Sequence, residues 1–341
     1  MDTKDIATTK YEAKDYKSAQ AVRWCPGCGD HGVLATIHKT MSERGVAPHN
    51  TVVVSGIGCS SRLPYYMNTY GFHSIHGRGA AIATGVKTAN PELDVWLITG
   101  DGDCLAIGGN HFIHAVRRNV NINIVLFNNK IYGLTKGQYS PTSARGFVSK
   151  SSPMGTVEDP FIPAELALGA RGRFFARALD VDMKMMQQCM LAGANHEGTS
   201  VTEVLVNCVI FNHGTHRDYS AKEVRADRTI YLEHGKKMIY GADKNKGLVL
   251  DGLRLKSVTI GEDGYTEDDI LVHDAHCKDD TLHRMLAMMS DDMPIALGVI
   301  RDVPDLIYDR EVERQEKEAQ AKTDIHTLQA HMYNIAGWIN E

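Results

Sequence analysis

The chain is expected to fold as an α/β protein, with a mostly parallel sheet, helices on both faces, and a mixed C-terminal extension. Three observations predict this. Five short apolar runs rich in β-branched residues recur between residues 51 and 206. Helix-length stretches separate most of them, which is the signature of a parallel sheet with helical crossovers. Three of the runs end in unusual glycine- or asparagine-rich loops, where parallel sheets place their ligands.

Taken in order, residues 1–20 are polar and mixed in charge, and are expected to form a flexible arm. A helix is expected over 32–44. Thr51–Ser55 (TVVVS) reads as a buried strand ending in glycine. A helix over 80–88 leads to a second strand, 95–99 (VWLIT), which ends in Gly-Asp-Gly. A helix over 109–119 leads to a third strand, 122–127, which ends in Asn-Asn. A fourth strand is expected over 174–179, a helix over 182–195, and a fifth strand over 201–206. Continuous apolar runs of this length suit strands covered on both faces. From about residue 220 the pattern changes. Residues 228–258 alternate in short segments punctuated by glycine, as hairpins do, and 309–322 (DREVERQEKEAQAK) reads as a solvated helix. The expected division is therefore an arm over 1–20, an α/β domain over 21–219 and an extension over 220–341.

Composition narrows the function. The 341 residues suit about two domains, or one large domain with an appendage. Forty-two acidic against 37 basic side chains give a net charge of −5, which excludes a globally basic nucleic-acid binder. No apolar run approaches the ~18 residues of a membrane span, and the N-terminus has no apolar segment of a secretory signal. Seven cysteines, an odd number with no export signal, point to reduced thiols and a cytoplasmic location.

The most informative pattern is Gly100-Asp101-Gly102, followed about 25 residues later by Asn128-Asn129-Lys130-Ile131. Glycines let backbone approach a ligand closely. A helix opening at Asp103 would offer free N–H groups to a diphosphate. Asp101 can give a carboxylate oxygen to a hard divalent cation, Asn129 an amide oxygen and Ile131 its carbonyl. Each half alone is ordinary turn chemistry. Together, each after an apolar strand, they resemble the thiamine diphosphate signature.

A second constellation is built from cysteine. Trp24-Cys25-Pro26-Gly27-Cys28-Gly29 is a C-x-x-C turn, Cys59 follows the first strand, and Cys208 follows the fifth. Four thiolates suit an iron–sulfur cluster or a zinc ion. The turn also resembles a thioredoxin motif, but the polar residues before it do not make the strand that motif follows. Cys104, Cys189 and Cys277 read as buried structural thiols, and His213 and His216 as solvated loop histidines.

The two constellations together resemble the β subunits of 2-oxoacid:ferredoxin oxidoreductases, and within them the 2-oxoglutarate branch. The residues that carry the likeness are W-C-P-G-C-G at 24–29, G-I-G-C-S at 56–60, H-G-R-G at 76–79, G-D-G-D-C-L-A-I-G-G-N-H at 100–111, N-N-K-I-Y-G-L-T-K-G-Q at 128–138 and N-C-V-I-F at 207–211. The resemblance implies the diphosphate-binding domain of the thiamine diphosphate fold. It implies one [4Fe–4S] cluster on Cys25, Cys28, Cys59 and Cys208, and Mg²⁺ on Asp101, Asn129 and the Ile131 carbonyl. Gly102 and Asp103 would cradle the diphosphate. Ile57, Gly58, Cys59, Ser60, His76, Gly133 and Leu134 would line the rest of the coenzyme.

The implied activity is oxidative decarboxylation of a 2-oxoacid with coenzyme A to acyl-CoA and CO₂, or its reverse. Electrons would pass from the thiamine through the cluster to ferredoxin. Arg62, three residues after Cys59, is expected to pair with the distal carboxylate of 2-oxoglutarate. His76 is a candidate donor to the substrate carbonyl, and Leu134 an apolar wall. Pyruvate and branched-chain or aryl 2-oxoacids are alternative substrates. A non-oxidative thiamine enzyme with a structural zinc is the alternative of another class. Only the diphosphate half of a thiamine site is visible, so an α subunit is expected to complete it, in an assembly of two α and two β subunits.

Overall fold

The computed structural model describes residues 10–289, 292–322 and 332. Residues 1–9 of the expected arm and most of the chain beyond 322 lie outside them.

Eight strands form one sheet: β1 (Thr51–Ser55), β2 (Tyr70–His73), β3 (Asp94–Gly100), β4 (Asn123–Asn128), β5 (Phe174–Leu179), β6 (Ser200–Leu205), β7 (Thr229–Leu232) and β11 (Ile295–Asp302). Their order across the sheet is β2-β1-β3-β4-β6-β5-β11-β7. Pairing is parallel throughout, except that β11 runs antiparallel to β5. A separate antiparallel sheet joins β8 (Ile239–Tyr240), β9 (Lys246–Asp251) and β10 (Arg254–Thr259).

Helices cover both faces. They are α1 (Asp30–Arg44), α2 (Gly79–Ala89), α3 (Asp101–Leu105), α4 (Gly109–Arg118), α5 (Pro163–Gly169), α6 (Met183–Asn195), α7 (Arg217–Ser220), α8 (Arg225–Arg228), α9 (Thr281–Ala287) and α10 (Tyr308–Ala321). Alternate side chains of one strand enter different cores, which is why β1, β3 and β4 run apolar through their centres. Val52, Val54, Leu97 and Leu126 belong to one core, with Ala83 of α2, Phe112 of α4 and Leu168 of α5. Val53, Trp96, Ile98 and Phe127 belong to the other, with Ile37 of α1 and Met190 of α6.

The structure corrects three expectations. Residues 10–20 are not a loose arm. Tyr16 is fully buried in the second core and donates its hydroxyl to the Val46 carbonyl at 2.6 Å. The extension is not separate at 220, because β7 and β11 complete the main sheet. Cys277 is exposed, whereas Cys104 and Cys189 are buried. Among the described residues, no helix is long and apolar enough to cross a membrane.

Candidate functional site

The carboxyl ends of β2, β1, β3 and β4, neighbours in the sheet, bring four loops to one edge. There they enclose a cavity of about 430 Å³. Ile57, Gly58, Cys59, Ser60 and His76 line it, as do Asp101, Gly102, Asp103, Asn129, Ile131, Gly133 and Leu134. Every position expected at the coenzyme or the divalent cation therefore faces one space. Asp30 and Tyr132 also line it, and neither was singled out from the sequence.

Asp101 starts α3 and is only 1% exposed. Its Oδ2 accepts hydrogen bonds from Ser140 Oγ and Thr142 Oγ1, both at 2.5 Å. Burial raises its pKa above the usual carboxylate range, and the two hydroxyls only partly offset this. A carboxylate held this way lacks a counter-charge, which a divalent cation would supply. Asn129 Oδ1 accepts from the Ile131 N–H at 3.2 Å, so the two expected co-ligands share one turn. The donor set, all oxygen with one anion, fits Mg²⁺. Ser140 and Thr142 belong to the stretch S-P-T-S at 140–143, whose crowding of hydroxyls was the signal available in the sequence.

The Asp103 side chain has a role beyond the one expected of its backbone. Its Oδ1 accepts from the N–H groups of Ile57 at 2.9 Å and Gly77 at 2.7 Å, and from His76 Nδ1 at 3.0 Å. Its Oδ2 accepts from Thr99 Oγ1 at 2.8 Å. The carboxylate thus ties three loops together, leaving only the backbone of this residue for a diphosphate. Gly56 is required beside it, because a Cβ there would stand 2.0 Å from Asp103 Oδ2. With Nδ1 engaged, His76 has Nε2 left for the cavity. Tyr132 donates its hydroxyl to the Gly102 carbonyl at 2.9 Å and stacks edge-on against His76.

A second cavity, of about 230 Å³, is lined by Cys25, Cys28, Cys59 and Cys208. Hydrogen bonds to backbone carbonyls bring their loops together. The Trp24 indole N–H donates to the Cys59 carbonyl at 2.7 Å, and Gly29 N–H donates to Asn207 O at 3.2 Å. Burial raises Cys28 above the usual thiol range and pushes Cys59 up to about 12, with the Asp30 charge adding to both. Burial likewise pushes Asp30 up to about 7. Thiols in this setting become thiolates only with a compensating cationic centre, which bound iron supplies. Among the described residues, no three His, Cys, Asp or Glu side chains close on a single ion.

The two cavities share Cys59, Asn129, Gly133 and Leu134 as a common wall. A Cβ on Gly133 would stand 3.5 Å from Cys208 Sγ and 3.6 Å from Cys59 Sγ. Arg62 lines the cysteine cavity and not the coenzyme cavity. Its Nε donates to the Tyr66 hydroxyl at 3.2 Å. His216 is not solvated as expected. It is 3% exposed, donates from Nε2 to the Asn128 carbonyl at 2.8 Å, and is lowered by burial to about 4.

The family model described as the thiamine pyrophosphate enzyme C-terminal TPP binding domain matches residues 56–204. The chain is similar to a 2-oxoglutarate oxidoreductase subunit KorB of Mycobacterium tuberculosis, with 46% identity over 331 residues, 96% of this chain and 88% of that one. It is also 46% identical over 210 residues to a 2-oxoacid:ferredoxin oxidoreductase 1 subunit beta of Aeropyrum pernix, covering 62% of this chain and 64% of the relative. Among solved structures it is similar to the 2-oxoglutarate:ferredoxin oxidoreductase from Magnetococcus marinus with 2-oxoglutarate, coenzyme A and succinyl-CoA bound. That likeness has a TM-score of 0.76 and 28% identity, and spans 97% of this chain and 98% of the other. With the likeness running nearly end to end and the matched domain holding the cavity at the sheet edge, the chain belongs to the β subunits of the 2-oxoglutarate and 2-oxoacid:ferredoxin oxidoreductases.

Proposed function

We propose that the chain, joined to an α subunit, oxidatively decarboxylates 2-oxoglutarate with coenzyme A and sends the electrons through a [4Fe–4S] cluster to a ferredoxin, or runs the reverse reductive carboxylation. The observation that carries this reading is the common wall. A cavity with a magnesium-type oxygen set and a cavity of four cysteines adjoin across Cys59 and Gly133. A purely structural zinc would require no such contact with the coenzyme space.

Thiamine diphosphate, when bound, supplies the electron sink that lets a 2-oxoacid lose CO₂. Asp101, Asn129 and the Ile131 carbonyl would hold its Mg²⁺. The backbone of Gly102 and Asp103 would meet the diphosphate, with Ile57, Gly58 and Ser60 along the coenzyme. Asp103 fixes His76 by its Nδ1–H, so Nε2 would meet the substrate carbonyl. Leu134, half-exposed in this chain, would form an apolar wall. Arg62 lines the cysteine side of that wall and would pair with the distal carboxylate of the substrate by reaching past Leu134. Cys25, Cys28, Cys59 and Cys208 would hold the cluster. An assembly of two α and two β subunits in the cytoplasm is the arrangement the family suggests.

The test is the αβ complex isolated without oxygen. It should contain thiamine diphosphate, magnesium, iron and acid-labile sulfide, and should reduce methyl viologen faster with 2-oxoglutarate than with pyruvate. Zinc without sulfide overturns the redox reading. Preference for pyruvate overturns the role of Arg62.

A further inference from the structure

A third cavity, of about 280 Å³, lies behind the loop that follows β4. It shares no lining residue with the coenzyme or cysteine cavities. Asn129 and Ile131 face the coenzyme, while Lys130 between them lines this other space. The backbone imposes that reversal. Lys130 has a φ of 54°, and its carbonyl is held by Ser143 Oγ at 2.7 Å and Asn212 Nδ2 at 3.2 Å.

The charges around this cavity do not cancel. Arg177 Nε lies 2.7 Å from Glu203 Oε2, and both side chains are almost wholly buried, so that pair is neutral. His216 gives its Nε2–H to a carbonyl and sits in a buried position. Among the described residues that line the cavity, Lys130 is the one charged side chain with no carboxylate within ion-pair distance. Phe161, Leu286 and Met288 give the same cavity an apolar lining. A cation and hydrocarbon lining one cavity select a ligand with one negative charge and an apolar body. A polyanion would bring buried charge with no partner. A cavity of about 150 Å³ admits benzene, so this one has room for a ring with a short carboxylate arm.

We propose that this cavity binds a small organic monoanion with an apolar tail, its carboxylate on Lys130 and its tail against Phe161, Leu286 and Met288. The proposal does not depend on the redox reading, because Lys130, Phe161, Leu286 and Met288 are assigned no part in it.

Isothermal titration calorimetry of the intact αβ complex tests it, with 3-phenylpropanoate as the probe. The acid should bind, while 3-phenylpropanamide, which lacks the charge, and propanoate, which lacks the ring, should bind at least about tenfold more weakly. Lys130→Gln should weaken the acid by a similar factor. Met288→Trp, which fills the apolar end, should also do so while bound thiamine content and circular dichroism stay as in the parent. Equal binding of acid and amide, or equal binding by parent and Met288→Trp, overturns the proposal. So does the absence of heat in the complex, the result expected if an acidic residue of the α subunit occupies Lys130. Viologen reduction plays no part in these readouts, so their failure leaves the redox reading standing.

Discussion

Asp101 and Asp103 are two positions apart on α3 and point in different directions. Two helical steps turn a side chain by roughly 200°, so one carboxylate faces the cavity edge and the other the loops behind it. The motif made the importance of an acid at 101 legible. It could not show that the acid at 103 serves as a tie, because its four donors come from residues 57, 76, 77 and 99. Thr142→Val removes one of the two hydroxyls on Asp101. It should raise the magnesium concentration needed to retain thiamine about 10- to 100-fold, read as bound coenzyme after gel filtration. An unchanged magnesium midpoint would show that Thr142 serves the fold alone. His216 gives a pH prediction. Its pKa is about 4 when folded and about 6.5 when exposed, so the unfolded chain binds the extra proton between those values. Its contribution to stability is complete above pH 6.5 and is lost as pH falls toward 4, by roughly 3 kcal/mol. The stability gap between the parent and His216→Gln, from urea unfolding, should narrow over that interval.

At the scale of elements, legibility followed apolar density. The five runs from 51 to 206 became β1, β3, β4, β5 and β6, because strands buried on two faces are apolar at most positions, and the buried Arg177 of β5 and Glu203 of β6 neutralise each other. β2 is a four-residue edge strand, exposed along its length, and it leaves no such trace. β11 is interrupted by Gly298, at a φ of 98°, and by a register shift between Val299 and Arg301. The segment before α1 leaves little trace because two tyrosines in a polar stretch anchor it, Tyr11 at the edge of the core and Tyr16 fully buried within it. Tyr16→Ala should therefore cost about 3–5 kcal/mol in denaturant unfolding, as burial of a large ring requires. A loose arm would show almost no change.

Across the whole molecule, the eight-stranded sheet closes only with residues from the far end of the chain. The matched domain ends at residue 204, yet β5 pairs with β11, and β11 with β7. Deleting residues 221–341 would strip both strands and open the backbone edge of β5, which is fully buried along its length. The shortened chain should aggregate, or elute at high mass in size-exclusion chromatography, where a separable extension would leave a monodisperse domain. This dependence was hidden in the sequence, since pairing between residues more than a hundred positions apart has no local signal.

The position of Gly133 carries one more consequence. It is a main-chain partition with only hydrogen where other residues carry carbon, and sulfur on its far side. On the reading proposed above, donor and acceptor would stand one peptide layer apart, so transit between them requires no swinging arm, shuttle or relay side chain. Its speed would be governed by spacing built in when the chain folds.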